Sequence, residues 1–144
     1  MVDSLTPERR SWNMSRIRGA DTRPEKLLRS LLHRAGYRFR IHDRRLPGCP
    51  DIVLPRYRTV IFVHGCFWHR HPGCRNATMP GSRTDFWAAK FEGTVARDKA
   101  KAAQLEAAGW QVITVWECDL EQKPEIVLAS IRQSLEKTSE IPQV

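Results

Sequence analysis

From Val63 to Cys74 the chain reads VHGCFWHRHPGC, with two cysteines, three histidines and two adjacent aromatics in twelve positions. Cys66, His71, Cys74 and the distant Cys118 form a Cys₃His set, a complete tetrahedral shell for a structural Zn²⁺. Their spacing is not that of a standard zinc finger, and burial as free thiols is the competing reading. That set leaves His64 and His69. A neutral imidazole can take a proton from a metal-bound water, and a charged one can stabilise a phosphorane-like transition state. Ordinary hydrogen-bonded packing is the alternative for both.

Asp51 stands after Pro50 at the start of a short apolar run, and the next apolar run ends at Val63-His64. A carboxylate at one strand beside the end of its neighbour suits Mg²⁺, which takes one or two carboxylates and keeps waters that a phosphate oxygen can replace. A plain turn residue after PGCP fits equally well. Asp98, within VARDKAK, either orients a histidine or belongs to a solvated helix face. Phe67, Trp68 and Trp87 are either core residues or apolar wedges of the kind that enter a base step and kink a duplex. Because Phe67 and Trp68 are consecutive they point different ways, so at least one is expected at the surface.

The elements that must position these residues follow from the periodicity. Thr6-Pro7-Glu8 starts a short helix to about Arg18. Thr22-Arg23-Pro24-Glu25 is a capping box, Leu27, Leu28, Leu31 and Leu32 form one stripe, and Gly36 is the stop. Tyr37, Phe39 and Ile41 alternate with Arg38, Arg40 and His42 as a half-buried strand. DIVL is a short strand, PRYR a turn, and TVIFV a central strand buried on both faces. Thr84 or Asp85 caps a long helix to Ala108, with a break expected at Gly93 and a stop at Gly109. WQVITVWEC is a fourth strand, and Pro124-Glu125 opens a last helix. Meander strands followed by a helix–strand crossover predict one mixed-sheet α/β domain.

Composition narrows the function classes. The net charge is +8, but residues 1–83 carry 17 Lys/Arg against 6 Asp/Glu, whereas residues 84–144 carry 7 against 10. Arginine outnumbers lysine 18 to 6, which suits bidentate phosphate or guanine contacts and favours a nucleic-acid partner. No apolar run approaches the roughly 18 residues of a membrane span, and the first residues lack the apolar stretch of a secretory signal. A cytoplasmic address is expected, where disulfides are disfavoured. Cys49 has no evident ligand role.

LPGCPDIVLPRYRTVIFVHGCFWHRHPGC, TDFW, RDK and GWQVITVWEC together resemble the very short patch repair endonucleases, bacterial mismatch-specific nicking enzymes of the restriction-endonuclease-like fold. The resemblance covers about residues 8–120. It implies an αβββαβ core with a structural zinc, divided as a basic helical segment packing on DNA (1–20), a catalytic domain (21–120) and a C-terminal helix and tail (121–144). It implies that Asp51 and the main-chain carbonyl of Val63 hold Mg²⁺ and that His69 is the general base, supported by His64 and Asp98. Glu25 would lie beside this centre, although its capping-box role explains it too. Cys66, His71, Cys74 and Cys118 would hold zinc, while Phe67, Trp68 and Trp87 would insert beside the mismatched pair. The implied substrate is double-stranded DNA carrying a T·G mismatch from deaminated 5-methylcytosine, cut 5′ of the thymine by a monomer, with mismatch-repair proteins as partners. Val63 replaces a usual threonine, Cys49 replaces an arginine, and the His71–Cys74 loop is one residue longer than usual. The alternatives are a non-catalytic zinc-bearing DNA-binding module and a related nicking enzyme of different sequence preference.

Overall fold

The computed structural model describes residues 22–139; the helix expected over Thr6–Arg18 lies outside them. Its elements run α1 (Arg23–Arg34), β1 (Arg40–Ile41), β2 (Ile52–Leu54), a 3₁₀ turn (Pro55–Tyr57), β3 (Thr59–His64), α2 (Thr84–Ala107), β4 (Gln111–Trp116), α3 (Glu117–Gln122) and α4 (Pro124–Ser139). The four strands form one mixed sheet in the order β1-β2-β3-β4. β1/β2 and β2/β3 are antiparallel, and β3/β4 is parallel.

Alternation along the strands places two apolar clusters on opposite faces of this sheet. Ile52, Leu54, Ile61 and Val115 face Leu28 and Leu32 of α1, Leu120 of α3, and Ile131 and Leu135 of α4. Val53 and Val60 face Leu105 of α2, with Phe62 and Val112 packed alongside. The sheet is therefore covered by helices on both sides, which explains why TVIFV is apolar almost throughout.

Helix α1 starts where the Thr22 hydroxyl accepts the Glu25 N–H at 3.4 Å. It ends in a Schellman turn: Tyr37 N–H donates to the Leu32 carbonyl and Gly36 N–H to His33, with Gly36 at φ +89°. Helix α2 closes the same way, through Trp110 to Leu105 and Gly109 to Glu106.

Several expected boundaries move. The strand expected over Tyr37–Ile41 shrinks to two residues, and Ile41 is exposed; Tyr37 and Phe39 pack on the core from irregular backbone. Helix α2 runs through Gly93 without a break, and neither Thr84 nor Asp85 caps it, because Arg83 occupies the cap in a left-handed conformation. Tertiary packing overrides the propensity of one glycine. The fourth strand stops at Trp116, so Cys118 lies in the first turn of the unforeseen helix α3.

Gly36→Ala tests the first Schellman turn cleanly, since a Cβ there meets nothing within 4 Å. The left-handed φ alone should cost about 1 kcal/mol. The expected readout is a lower urea midpoint at unchanged m-value; an unchanged midpoint would show that the turn is not strained.

Candidate active site and metal centre

Strands β3 and β4 deliver the site. Their parallel register sets His64 opposite Trp116, so the chain leaves both strands at the same end of the sheet. Two residues beyond this pair lie Cys66 and Cys118. Turns then bring His71 and Cys74 back: His71 N–H donates to the Cys66 carbonyl at 3.1 Å, and Cys74 N–H to the His71 carbonyl at 3.3 Å.

The four side chains converge. Cys118 Sγ is 3.3 Å from His71 Nδ1 and 3.9 Å from Cys74 Sγ, and Cys66 Sγ is 3.7 Å from His71 Nδ1. Around a tetrahedral ion with metal–sulfur bonds of about 2.3 Å and metal–nitrogen bonds of about 2.0 Å, the edges come to roughly 3.8 Å between sulfurs and 3.5 Å from sulfur to nitrogen. These three edges lie close to those of one tetrahedral ion, and all four donor atoms lie within 4.8 Å of one another, so the set suits one metal ion. Burial pushes the Cys118 thiol up to about 12 and raises Cys66, whereas the Asn76 backbone N–H holds Cys74 low. Without a cation Cys66 and Cys118 stay neutral thiols; a bound cation would draw them on as thiolates.

A second group lies on the α2 side of the sheet. His69 Nδ1 is 2.7 Å from Asp98 Oδ2, and the His69 ring stacks on His64 at 3.9 Å with 6° between planes. Burial, and then the neighbouring His69, push His64 down to about 4. Trp116 separates this group from the thiol cluster, edge-on to His64 at 5.3 Å and stacked on His71 at 4.3 Å.

The third group is Glu25, His42 and Asp51, whose donor atoms lie within 4.8 Å of one another. Asp51 Oδ2 accepts the Val63 N–H at 2.7 Å, which fixes the carboxylate against the end of β3. Burial is the main force raising Asp51 to about 7, and the Glu25 carboxylate adds to it; the Val63 amide, His42 and Arg29 pull the other way. Glu25 is itself buried, 3.1 Å from Arg29 Nη2 and 3.0 Å from His42 Nε2. A buried carboxylate and a half-buried one held this close suit a divalent cation. Asp51, His64, His69 and Asp98 all line one open cleft of about 590 Å³.

The aromatics form a separate cluster on the same loop and on α2. Phe67 packs edge-on against Trp68, Trp87 and Phe91 at 5.1, 6.0 and 5.2 Å. Phe67 and Trp68 are half-buried, whereas Trp87 is buried beneath them. Arg70 stacks on Phe91 at 4.1 Å and donates to the carbonyls of Phe67, Ala77 and Thr78, which ties the aromatic loop down.

Sequence reasoning passed over His42, Arg29 and Trp116. His42 looked like the polar face of a strand. Only the register reveals its place: Arg40 pairs with Val53 and Ile41 with Ile52, which carries His42 to Asp51. Their backbones join through the His42 N–H and the Asp51 carbonyl.

A family model described as DNA mismatch endonuclease Vsr matches residues 2–75, just over half of the chain. The chain belongs to that family. It is 57% identical over 120 residues to the type II nicking enzyme V.XorIIP of Xanthomonas oryzae pv. oryzae, covering 83% of this chain and 88% of that one. It is 45% identical over 123 residues to the type II nicking enzyme V.NmeAIP of Neisseria meningitidis, covering 85% and 87%. With the DNA mismatch endonuclease Vsr of Escherichia coli it shares 42% identity over 137 residues, covering 95% and 87%. This Vsr-family protein is thus an endonuclease, and among its described residues no helix is long and apolar enough to cross a membrane.

In this Vsr-family chain the Cys66–His71–Cys74–Cys118 group should carry one tightly bound metal ion. Elemental analysis of protein purified without added metal is expected to find one equivalent, and none in Cys118→Ala. That variant should also melt at a much lower temperature, since structural metal binding is worth on the order of 10 kcal/mol. Metal-free wild-type protein of unchanged stability would contradict the assignment.

Proposed function

We propose that the protein is a Mg²⁺-dependent endonuclease of restriction-endonuclease-like architecture. It nicks double-stranded DNA 5′ of the thymine in a T·G mismatch, the lesion left by deamination of 5-methylcytosine in cytoplasmic DNA. The observation that carries this reading is the convergence of Asp51 and a histidine–aspartate pair on one open cleft, beside a loop that presents aromatic rings. The names of the Vsr-family relatives support it.

Asp51 and the Val63 main-chain carbonyl would hold Mg²⁺, which when bound polarises the scissile phosphate and stabilises the leaving oxygen. Everything else falls to the chain itself. His69 is oriented through Nδ1 by Asp98, which leaves Nε2 as the atom that accepts a proton from the attacking water. His64, held neutral by its burial, stacks on His69 and fixes the plane of that ring. Glu25, pinned by Arg29 and His42, maintains negative charge beside Asp51. Zn²⁺ on Cys66, His71, Cys74 and Cys118 would anchor both ends of the loop that carries His69, so that its position does not depend on the loop's own packing.

Phe67 and Trp68 are assigned to the mismatched step, where entry of an apolar ring costs least because the pair is already weakened. Trp87, lying beneath them, contributes to this wedge by backing it. The basic N-terminal half supplies contacts to the phosphate backbone. A non-catalytic DNA-binding module would have no use for the His69–Asp98 pair beside Asp51.

The test is Asp51→Ala, assayed on labelled duplexes carrying T·G or T·A in otherwise identical sequence. Wild-type protein is expected to nick only the T·G duplex, only with Mg²⁺, and only in the thymine strand. Asp51→Ala should lose at least about 10³-fold in rate, as when a principal transition-state charge is removed, while keeping its bound zinc and its affinity for the mismatch. Equal nicking by the variant would overturn the metal assignment, and equal nicking of both duplexes would overturn the mismatch assignment.

A further inference from the structure

We propose that Lys101 binds a backbone phosphate of the nicked strand close to the scissile bond, an inference that rests on the nicking reading above. Lys101 follows Asp98 by three residues on α2, so the two share a helix face, and both line the cleft that holds Asp51 and His69. Its stem is locked to the turn that delivers Asp51. A Cβ placed on Gly48 would come within 3.1 Å of Lys101 Cβ, 3.2 Å of its Cγ and 3.2 Å of Phe62 Cζ. Gly48, at φ +77°, thus lets the lysine stem, the Asp51 turn and Phe62 close on one another.

The head of the side chain is left unmatched. Lys101 is half-buried, yet among the described residues no carboxylate lies within 4 Å of its ammonium. The acids nearby are engaged: Asp98 is 2.7 Å from His69, and Asp51 accepts the Val63 amide. Arg44 and Lys99 line the same cleft but are exposed, so water already solvates them. A cleft-lining ammonium with no carboxylate partner is free to take an anion, and a phosphodiester threading past Asp51 and His69 supplies one. The charge contacts the substrate backbone and reads no base, so its effect should be the same for every sequence.

Lys101→Met keeps an unbranched stem against Gly48 and Phe62 and removes only the charge, whereas Lys101→Arg keeps the charge. Affinity is measured without added Mg²⁺ and without chelator, so that nicking is suppressed and the cluster metal is kept, for T·G and matched duplexes across a salt series. Lys101→Met should weaken both duplexes about equally and reduce the salt slope by about 0.9, the value of one phosphate contact; Lys101→Arg should restore the slope. A walk of single neutral methylphosphonate linkages through the nicked strand locates the partner. At one linkage near the nick, neutralisation should weaken wild-type binding and leave Lys101→Met unaffected. An unchanged slope in Lys101→Met, or losses that add at every linkage, would overturn the proposal. Melting temperature and zinc content of both variants, expected to match wild type, exclude loss of fold as the cause. Because binding is read without Mg²⁺, failure of T·G nicking by wild-type protein would sink the functional reading and leave this measurement interpretable.

Discussion

The parallel pairing of β3 with β4 is the constraint on which the site depends. Parallel strands run out at the same end of a sheet, so whatever follows each strand must meet there. Here the last pair is His64 with Trp116, and beyond it the chain supplies Cys66 on one side and Cys118 on the other. Residues more than forty positions apart become neighbours through the register of the two strands. Helix α2 is the crossover that makes a parallel pair possible, and it returns across the sheet face with Asp98 aimed at His69.

On the proposed reading, two opposing demands meet at this sheet end. A structural metal needs rigid, buried thiols, whereas a hydrolytic site needs an open cleft with exchangeable water. Trp116 is the partition, with His71 of the thiol cluster on its face and His64 of the cleft at its edge. The loop between them is short enough that anchoring the cysteines also fixes His69, Phe67 and Trp68. Arg70 adds a second tie through three backbone carbonyls.

Much of this was legible in the sequence. The capping threonine, the glycine stops and the apolar run of β3 each have a local cause, and local causes can be read along a chain. The Cys₃His set was legible from residue types, since three cysteines and a histidine are rarely gathered without reason. What escaped was non-local. His42 looks like any outward-facing polar residue until the β1–β2 register brings it to Asp51. The weak alternation of Tyr37, Phe39 and Ile41 suggested five paired residues where only two pair, because Tyr37 and Phe39 are held by the core instead of by a neighbouring strand. Cys118 was legible as a member of the cluster but not as a helical residue, because nothing in VWEC announces the end of a strand.

The central claim is that the crowded stretch from Val63 to Cys74 serves two different metal ions. Anomalous diffraction from crystals grown with mismatched duplex and Mn²⁺ in place of Mg²⁺, recorded at the zinc and manganese edges, tests it most directly. The account predicts zinc enclosed by Cys66, His71, Cys74 and Cys118, and manganese against Asp51 and the Val63 carbonyl, with His64 and His69 ligating neither ion. Zinc bound by His64, His69 and Asp98, or no manganese at Asp51, would contradict it.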